Sequence, residues 1–245
     1  MQDDVTPHWN VPGRPVRSLR AGTARPPIPQ VVMVPGLGAL GYLLPTVRAC
    51  AAWTRVHLLD LPGFGHRATA RFPASLAATG DATAAWLRAV PPDPVVLVGH
   101  STGAQVALRA ALAVPDRVAA LCLAGPTFPP QLRQWPPLAR AAGRTVRHEP
   151  LSLVPATFPQ YLRGRRGVLT LLRSAMADRP EDAVGRVRCA VHVARGALDE
   201  VCPPAWAAEL AAAATDGRST VLPGAHNFPF THAGAASEWL HGTVR

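Results

Sequence analysis

The chain has 245 residues, enough for one substantial core, of which 48% are apolar and 16% charged. No apolar run reaches the roughly 18 residues of a spanning helix, and Met1 to Pro15 lacks a basic segment followed by an apolar one, so neither a membrane partner nor a secretory signal is expected and the location reads as cytoplasmic. The net charge is +10, yet all 25 basic residues are arginine, a bias that matches codon composition; without a zinc finger, basic helix or aromatic RNA-binding signature, no nucleic acid is expected as a partner.

Short β-branched runs alternate with amphipathic stretches, the pattern of parallel strands joined by crossover helices. Val31 to Val34 reads as a buried strand ending at Pro35-Gly36, followed by a helix from Leu43 to Ala52 and a strand over Val56 to Leu59. Ser75 is placed to cap a helix reaching about Val90. Val95 to Val98 is the next strand, and Thr102 to about Val114 a helix with Ala104, Ala107, Leu108 and Ala111 on one face. Strands are then expected at Val118 to Leu123, Arg188 to Val193 and Ser219 to Leu222, with helices over Ala205 to Ala214 and about Thr231 to His241. Cys50, Cys122, Cys189 and Cys202 lack metal-ligand spacing and read as unpaired structural thiols.

The alternation breaks over residues 127–186, which carry eight prolines, helical patterns near Pro159 to Arg163 and Val168 to Met176, and no good strand. The expected fold class is therefore α/β, a mainly parallel central sheet flanked by helices, with the core formed by residues 1–126 and 187–245. Residues 127–186 form a helical cap over the carboxyl edge of the sheet, where open α/β sheets place their ligands. Between Gln131 and Arg173 eight arginines face one acid, Glu149. A solvated basic face is the commoner meaning of such a run, an anion-attracting one the alternative.

The chemistry centres on Gly99-His100-Ser101-Thr102-Gly103, directly after one strand and directly before a helix. In that setting a sharp turn lifts a serine hydroxyl above the sheet, and the glycines let strand and helix approach closely. With this motif the chain resembles the α/β-hydrolase superfamily. The resemblance extends to Pro35-Gly36-Leu37-Gly38, to the turn from Asp60 to His66, to Arg195-Gly196-Ala197-Leu198-Asp199 after a late strand, and to Pro223-Gly224-Ala225-His226 after the last one. Pro35 departs from the family pattern, which often has His there.

The resemblance implies Ser101 as nucleophile, His226 as general base and Asp199 as the acid that orients the imidazole. It also implies backbone N–H donors from Leu37 and Thr102 for the oxyanion, their side chains being incidental. His100 is adjacent to Ser101 but should point away; His232 and His241 fall at the ends of the terminal helix; Glu200 is an alternative acid, and Asp60 reads as a structural turn acid. No metal or organic cofactor is expected. The partner is a small-molecule acyl substrate, an ester or lactone, with thioester cleavage or acyl transfer as the alternative within enzymes and a non-catalytic small-molecule binder outside them. Phe128, Trp135, Leu138, Phe158, Tyr161 and Leu162 are available either to line an acyl pocket or to form the cap's own small core.

Overall fold

The structure is a computed structural model that describes residues 6–9, 16–64 and 72–244. The chain forms β1 (Thr6–Trp9), β2 (Arg17–Ala21), β3 (Val31–Val34), α1 (Leu44–Ala51), β4 (Val56–Asp60), α2 (Leu76–Ala89), β5 (Val95–His100), α3 (Thr102–Ala113) and β6 (Val118–Ala124). Then follow α4 (Trp135–Val146), α5 (Leu153–Arg163), α6 (Arg165–Met176), β7 (Ala190–Gly196), α7 (Pro204–Ala213), β8 (Gly217–Leu222), α8 (Phe228–Thr231) and α9 (Ala233–Gly242). Most of the expected residues 1–15, and Gly65 and His66 of the second family-like turn, lie outside the described residues.

The strands lie in one sheet in the order β1-β2-β4-β3-β5-β6-β7-β8. From β4 to β8 all pairs are parallel, whereas β1 and β2 run antiparallel at one edge. Strand order reverses around β3, which lies between β4 and β5, so the crevice at the carboxyl ends of β3 and β5 is the topological switch point of the sheet. The two edge strands were not expected. Arg17 to Ala21 has no apolar alternation, and its place in the sheet is set by pairing: Arg17 donates from Nε to Asp60 Oδ2 of β4 at 2.8 Å.

Both faces of the sheet's centre are covered, which is why β3 to β6 read as near-continuous apolar runs. Val32, Val34, Val95 and Leu97 point into a core shared with α2, α3 and α7; Val31, Met33, Val96 and Val98 point the other way, toward α1 and α9. Ser75 caps α2 by accepting the Ala78 N–H. The late strand is β7 at Ala190–Gly196, so it begins two residues later and runs three further than expected, and the terminal helix is broken at His232 into α8 and α9. All four cysteines are free.

Between β6 and β7 the chain forms α4, α5 and α6 and no strand. Helix α4 was not expected, Pro136 and Pro137 being among the prolines that break the alternation; at the first turn of a helix proline removes no intrahelical bond and helps to start it. Side chains tie α5 and α6 to the loop after β3 and to α3. Gln160 of α5 accepts the Leu40 N–H at 2.6 Å, and Gln105 of α3 donates to the Ala175 carbonyl of α6 at 2.9 Å.

Candidate active site

Strand β5 and helix α3 meet at Ser101, whose φ of 57° lies in the left-handed region. Such a conformation costs on the order of 1 kcal/mol or more for a non-glycine residue and persists only where the surroundings impose it. Packing on both sides does so here. A Cβ on Gly99 would stand 2.2 Å from the Gly103 carbonyl oxygen, and one on Gly103 would stand 2.4 Å from that of Val34. Glycine at both positions lets α3 close onto β5 and β3, with Ser101 held at the switch point.

Two loops from the far half of the sheet bring the remaining residues to it. Asp199 follows β7 and His226 follows β8. The Ser101 hydroxyl donates to His226 Nε2 at 2.9 Å, and His226 Nδ1–H donates to Asp199 Oδ2 at 2.8 Å. Asp199, 1% exposed, is further held through Oδ1, which accepts the N–H groups of Val201 (2.9 Å) and Cys202 (3.0 Å). Burial alone would raise its pKa, but the facing imidazole and the two N–H donors outweigh that, and the carboxyl lies below its ordinary range. For His226 burial acts downward, yet the charge and hydrogen bond of Asp199, with the charge of Glu149, carry the imidazole above its ordinary value.

The competing residues are elsewhere. Glu200 lies 3.5 Å from Arg144 on the surface, His232 meets the Thr231 hydroxyl, and His241 stacks on Trp53. Asp60 pairs with Arg17. His100 is buried and turned away from the Ser101 hydroxyl, and it has a role that sequence did not reveal. Its Nε2–H donates to the His226 carbonyl at 2.8 Å, and its Nδ1 accepts from the Tyr42 hydroxyl at 2.9 Å, which in turn accepts the Gly36 N–H at 2.7 Å. One chain of bonds thus links the histidine loop to the loop after β3. Burial and the neighbouring His226 push the His100 imidazole down to about 3, so it stays neutral and this direction of bonding persists across the working pH range.

On the opposite side of Ser101, Leu37 sits at φ 48° and donates its N–H to Thr102 Oγ1 at 2.9 Å. The Thr102 side chain is therefore engaged with the very donor group that the sequence paired with it. The Thr102 N–H opens α3, and the first N–H groups of a helix have no intrahelical acceptor.

Two more residues take supporting roles that sequence did not assign them. Arg195, only 6% exposed, wraps the Asp199 loop, donating to the Cys202 carbonyl at 2.7 Å, the Asp199 carbonyl at 2.8 Å and the Ala197 carbonyl at 3.4 Å. A charged side chain in an apolar strand, four residues before an acid, was the available signal. Arg195→Met is expected to lower stability by about 3 kcal/mol, since hydrogen bonds to charged groups contribute roughly 1.5–3 kcal/mol each and the stranded carbonyls add a penalty. Urea denaturation checks this, and an unchanged midpoint would deny Arg195 the role. The second support is Glu149, whose Oε1 accepts both the backbone N–H of Asn227 (2.7 Å) and its side-chain amide (3.0 Å).

A cavity of about 270 Å³ opens over Ser101, lined by Leu37, Thr102, Phe128, Leu138, Leu172 and His226 among others. It adjoins a second cavity, of about 390 Å³, between α4 and α5. Tyr161 borders both and Phe158 the second, whereas Trp135 and Leu162 are exposed and line neither.

A serine at a strand–helix turn on the carboxyl edge of a mainly parallel sheet, facing a histidine and a carboxylate from later loops, places the molecule among hydrolytic α/β enzymes. The chain belongs to the alpha/beta hydrolase family, whose sequence model matches residues 31–238. It is 31% identical over 232 residues to a pimeloyl-[acyl-carrier protein] methyl ester esterase of Chromobacterium violaceum, with 82% of this chain and 88% of the relative covered. In fold it is similar to a thermophilic esterase from Thermogutta terrifontis, at 22% identity and a TM-score of 0.72 over 94% of this chain and 95% of that one. The enol-lactonase from Burkholderia xenovorans LB400 is similar at 18% identity and a TM-score of 0.72, over 93% and 96%. No helix among the described residues is long and apolar enough to cross a membrane.

Proposed function

We propose that the chain is a serine hydrolase that cleaves a carboxylic ester or lactone through an acyl-enzyme on Ser101. The observation that carries this reading is the continuous line of hydrogen bonds from the Ser101 hydroxyl through His226 to Asp199, at 2.9 and 2.8 Å, at the floor of a cavity. A hydroxyl becomes nucleophilic when a base takes its proton as it attacks. His226 Nε2 accepts that proton while Ser101 Oγ bonds to the carbonyl carbon, and Asp199 remains ionised against the imidazolium.

The carbonyl oxygen, now negative, is met by the N–H groups of Leu37 and Thr102, the first exchanging its bond to the Thr102 hydroxyl for one to the oxyanion. Collapse of the tetrahedral species breaks the carbon–oxygen bond of the ester, and the leaving alkoxide takes the proton from His226. Water then attacks the acyl-enzyme with His226 again as base, releasing the acid and restoring Ser101. These steps need no metal or cofactor. Helices α4–α6 act as the cap of the expected 127–186 insertion, roofing the cavity from residues such as Leu138 and Leu172. The names of the esterase and lactonase relatives support the ester and lactone class.

A panel of p-nitrophenyl esters, acyl thioesters and lactones tests the reading directly. Turnover of the oxygen esters or lactones is expected; turnover confined to thioesters, or none, would contradict it. The pH profile is a second check. Because His226 must be neutral to accept a proton, kcat/KM is expected to fall with acidification through a pKa above the ordinary histidine value of 6.5. An acidic limb at or below that value, in a profile from about pH 5 to about pH 9, would contradict the geometry.

A further inference from the structure

We infer that the cavity between α4 and α5 receives the leaving-group half of the ester, and that this half is a neutral, apolar alcohol. The inference rests on the ester-cleaving reading and adds to it a direction of binding and a substrate class. The first observation is apolar character. Val146, Leu151, Leu153, Val154 and Phe158 line this lobe of about 390 Å³, and several of them are open to solvent, Leu151 by 88% and Phe158 by 59%. Exposed apolar walls around a recess mark a place that a ligand covers.

The second observation is position. Ala142, Tyr161, Val201, His226 and Asn227 border both this lobe and the chamber over Ser101, so the two are continuous. Gly36, Leu37, Ser101 and Thr102 border the chamber alone. An ester bound for attack has its carbonyl oxygen toward Leu37 and Thr102, and its alkoxy oxygen toward His226 Nε2, which delivers the proton when the bond breaks. The lobe reached past the histidine therefore takes the alcohol, while the chamber with Leu37, Phe128, Leu138 and Leu172 takes the acyl group.

The third observation is charge. Of the eight arginines between Gln131 and Arg173, none lines either cavity; Arg133 is held by Glu181 at 2.7 Å, and Arg163, Arg165 and Arg166 are exposed. The one acid of that segment, Glu149, does line the lobe, with Oε1 occupied by Asn227 and Oε2 buried without a hydrogen-bond partner among the described residues. An anionic leaving group would meet Glu149, with Asp199 behind His226, and no arginine among the described residues that line the two cavities.

Two ester series separate the halves: acetates of alcohols from methyl to octyl, and methyl esters of acids from acetyl to decanoyl. For the wild type, kcat/KM is expected to rise at least about tenfold along the alcohol series as methylenes enter the lobe. Val154→Trp, which fills the lobe, should flatten that rise while the dependence on acyl length keeps its wild-type slope. Leu151→Trp, at a more exposed wall, gives the same pattern should the first variant fail to fold. A loss that follows acyl length, or equal losses in both series, overturns the assignment while leaving the hydrolase reading intact; absence of turnover in both series overturns both. As a charge check, the acetate of a carboxylated alcohol should be cleaved at least about tenfold more slowly than its neutral methyl-capped counterpart, and Glu149→Gln should narrow that gap. Preference for the carboxylated ester would mean that the arginines, not Glu149, govern the lobe.

Discussion

Ser101→Ala is expected to lower kcat for ester hydrolysis by on the order of 10⁵- to 10⁶-fold, with KM little changed. The loss is large because the covalent step disappears altogether, and what survives is the stabilisation of the oxyanion by backbone groups and substrate binding. Those groups would be untouched, since the proposed donors Leu37 and Thr102 offer their backbone N–H. Stability should barely move. The variant gives up one hydrogen bond to His226, about 1 kcal/mol, and alanine occupies the φ of 57° at the same cost as serine. Steady-state kinetics alongside thermal denaturation separate the two effects, and turnover within tenfold of wild type would remove Ser101 from the mechanism.

Asp199→Asn is expected to lower kcat by on the order of 10³ to 10⁴ while the fold persists. Asparagine retains an oxygen that can accept from Val201 and Cys202, so the loop stays in place. Its amide, however, donates to His226 Nδ1, which leaves the imidazole proton on Nε2, where the Ser101 proton has to go. The acidic limb of the pH profile should also move down, because the carboxylate that raises the His226 pKa is gone. Glu200→Gln is the control. The Glu200 carboxylate is exposed and lies 3.5 Å from the exposed Arg144, so its loss should leave the rate within a factor of about two. A collapse in Glu200→Gln, with Asp199→Asn active, would reassign the acid.

What sequence revealed and what it withheld follow from the range of the interactions. The buried strands from Val31 to Ala124 were legible because the centre of a sheet covered on both faces needs near-continuous apolar runs, a local property. The Ser101 turn was legible because steric closure requires glycine at Gly99 and Gly103, each two residues from Ser101. Strand β2 was not, because its place depends on Arg17 reaching Asp60, 43 residues away. The same holds at the site. Nothing near His100 in the chain announces its bonds to Tyr42 and to the His226 carbonyl, 58 and 126 residues distant. The arginine-rich segment shows a subtler failure: counting charges between Gln131 and Arg173 directed attention to the eight arginines, whereas the side chain that lines the cavity is the lone Glu149. Helix periodicity places side chains on faces, but which face meets a cavity is decided by packing between distant elements.

Covalent labelling with a fluorophosphonate probe, mapped by peptide mass spectrometry, asks whether Ser101 is a nucleophile activated by His226. One adduct is expected, on the peptide carrying Ser101, that forms more slowly as His226 is protonated and is absent from Ser101→Ala. An unlabelled folded protein, or an adduct on another residue that persists in Ser101→Ala, would contradict it.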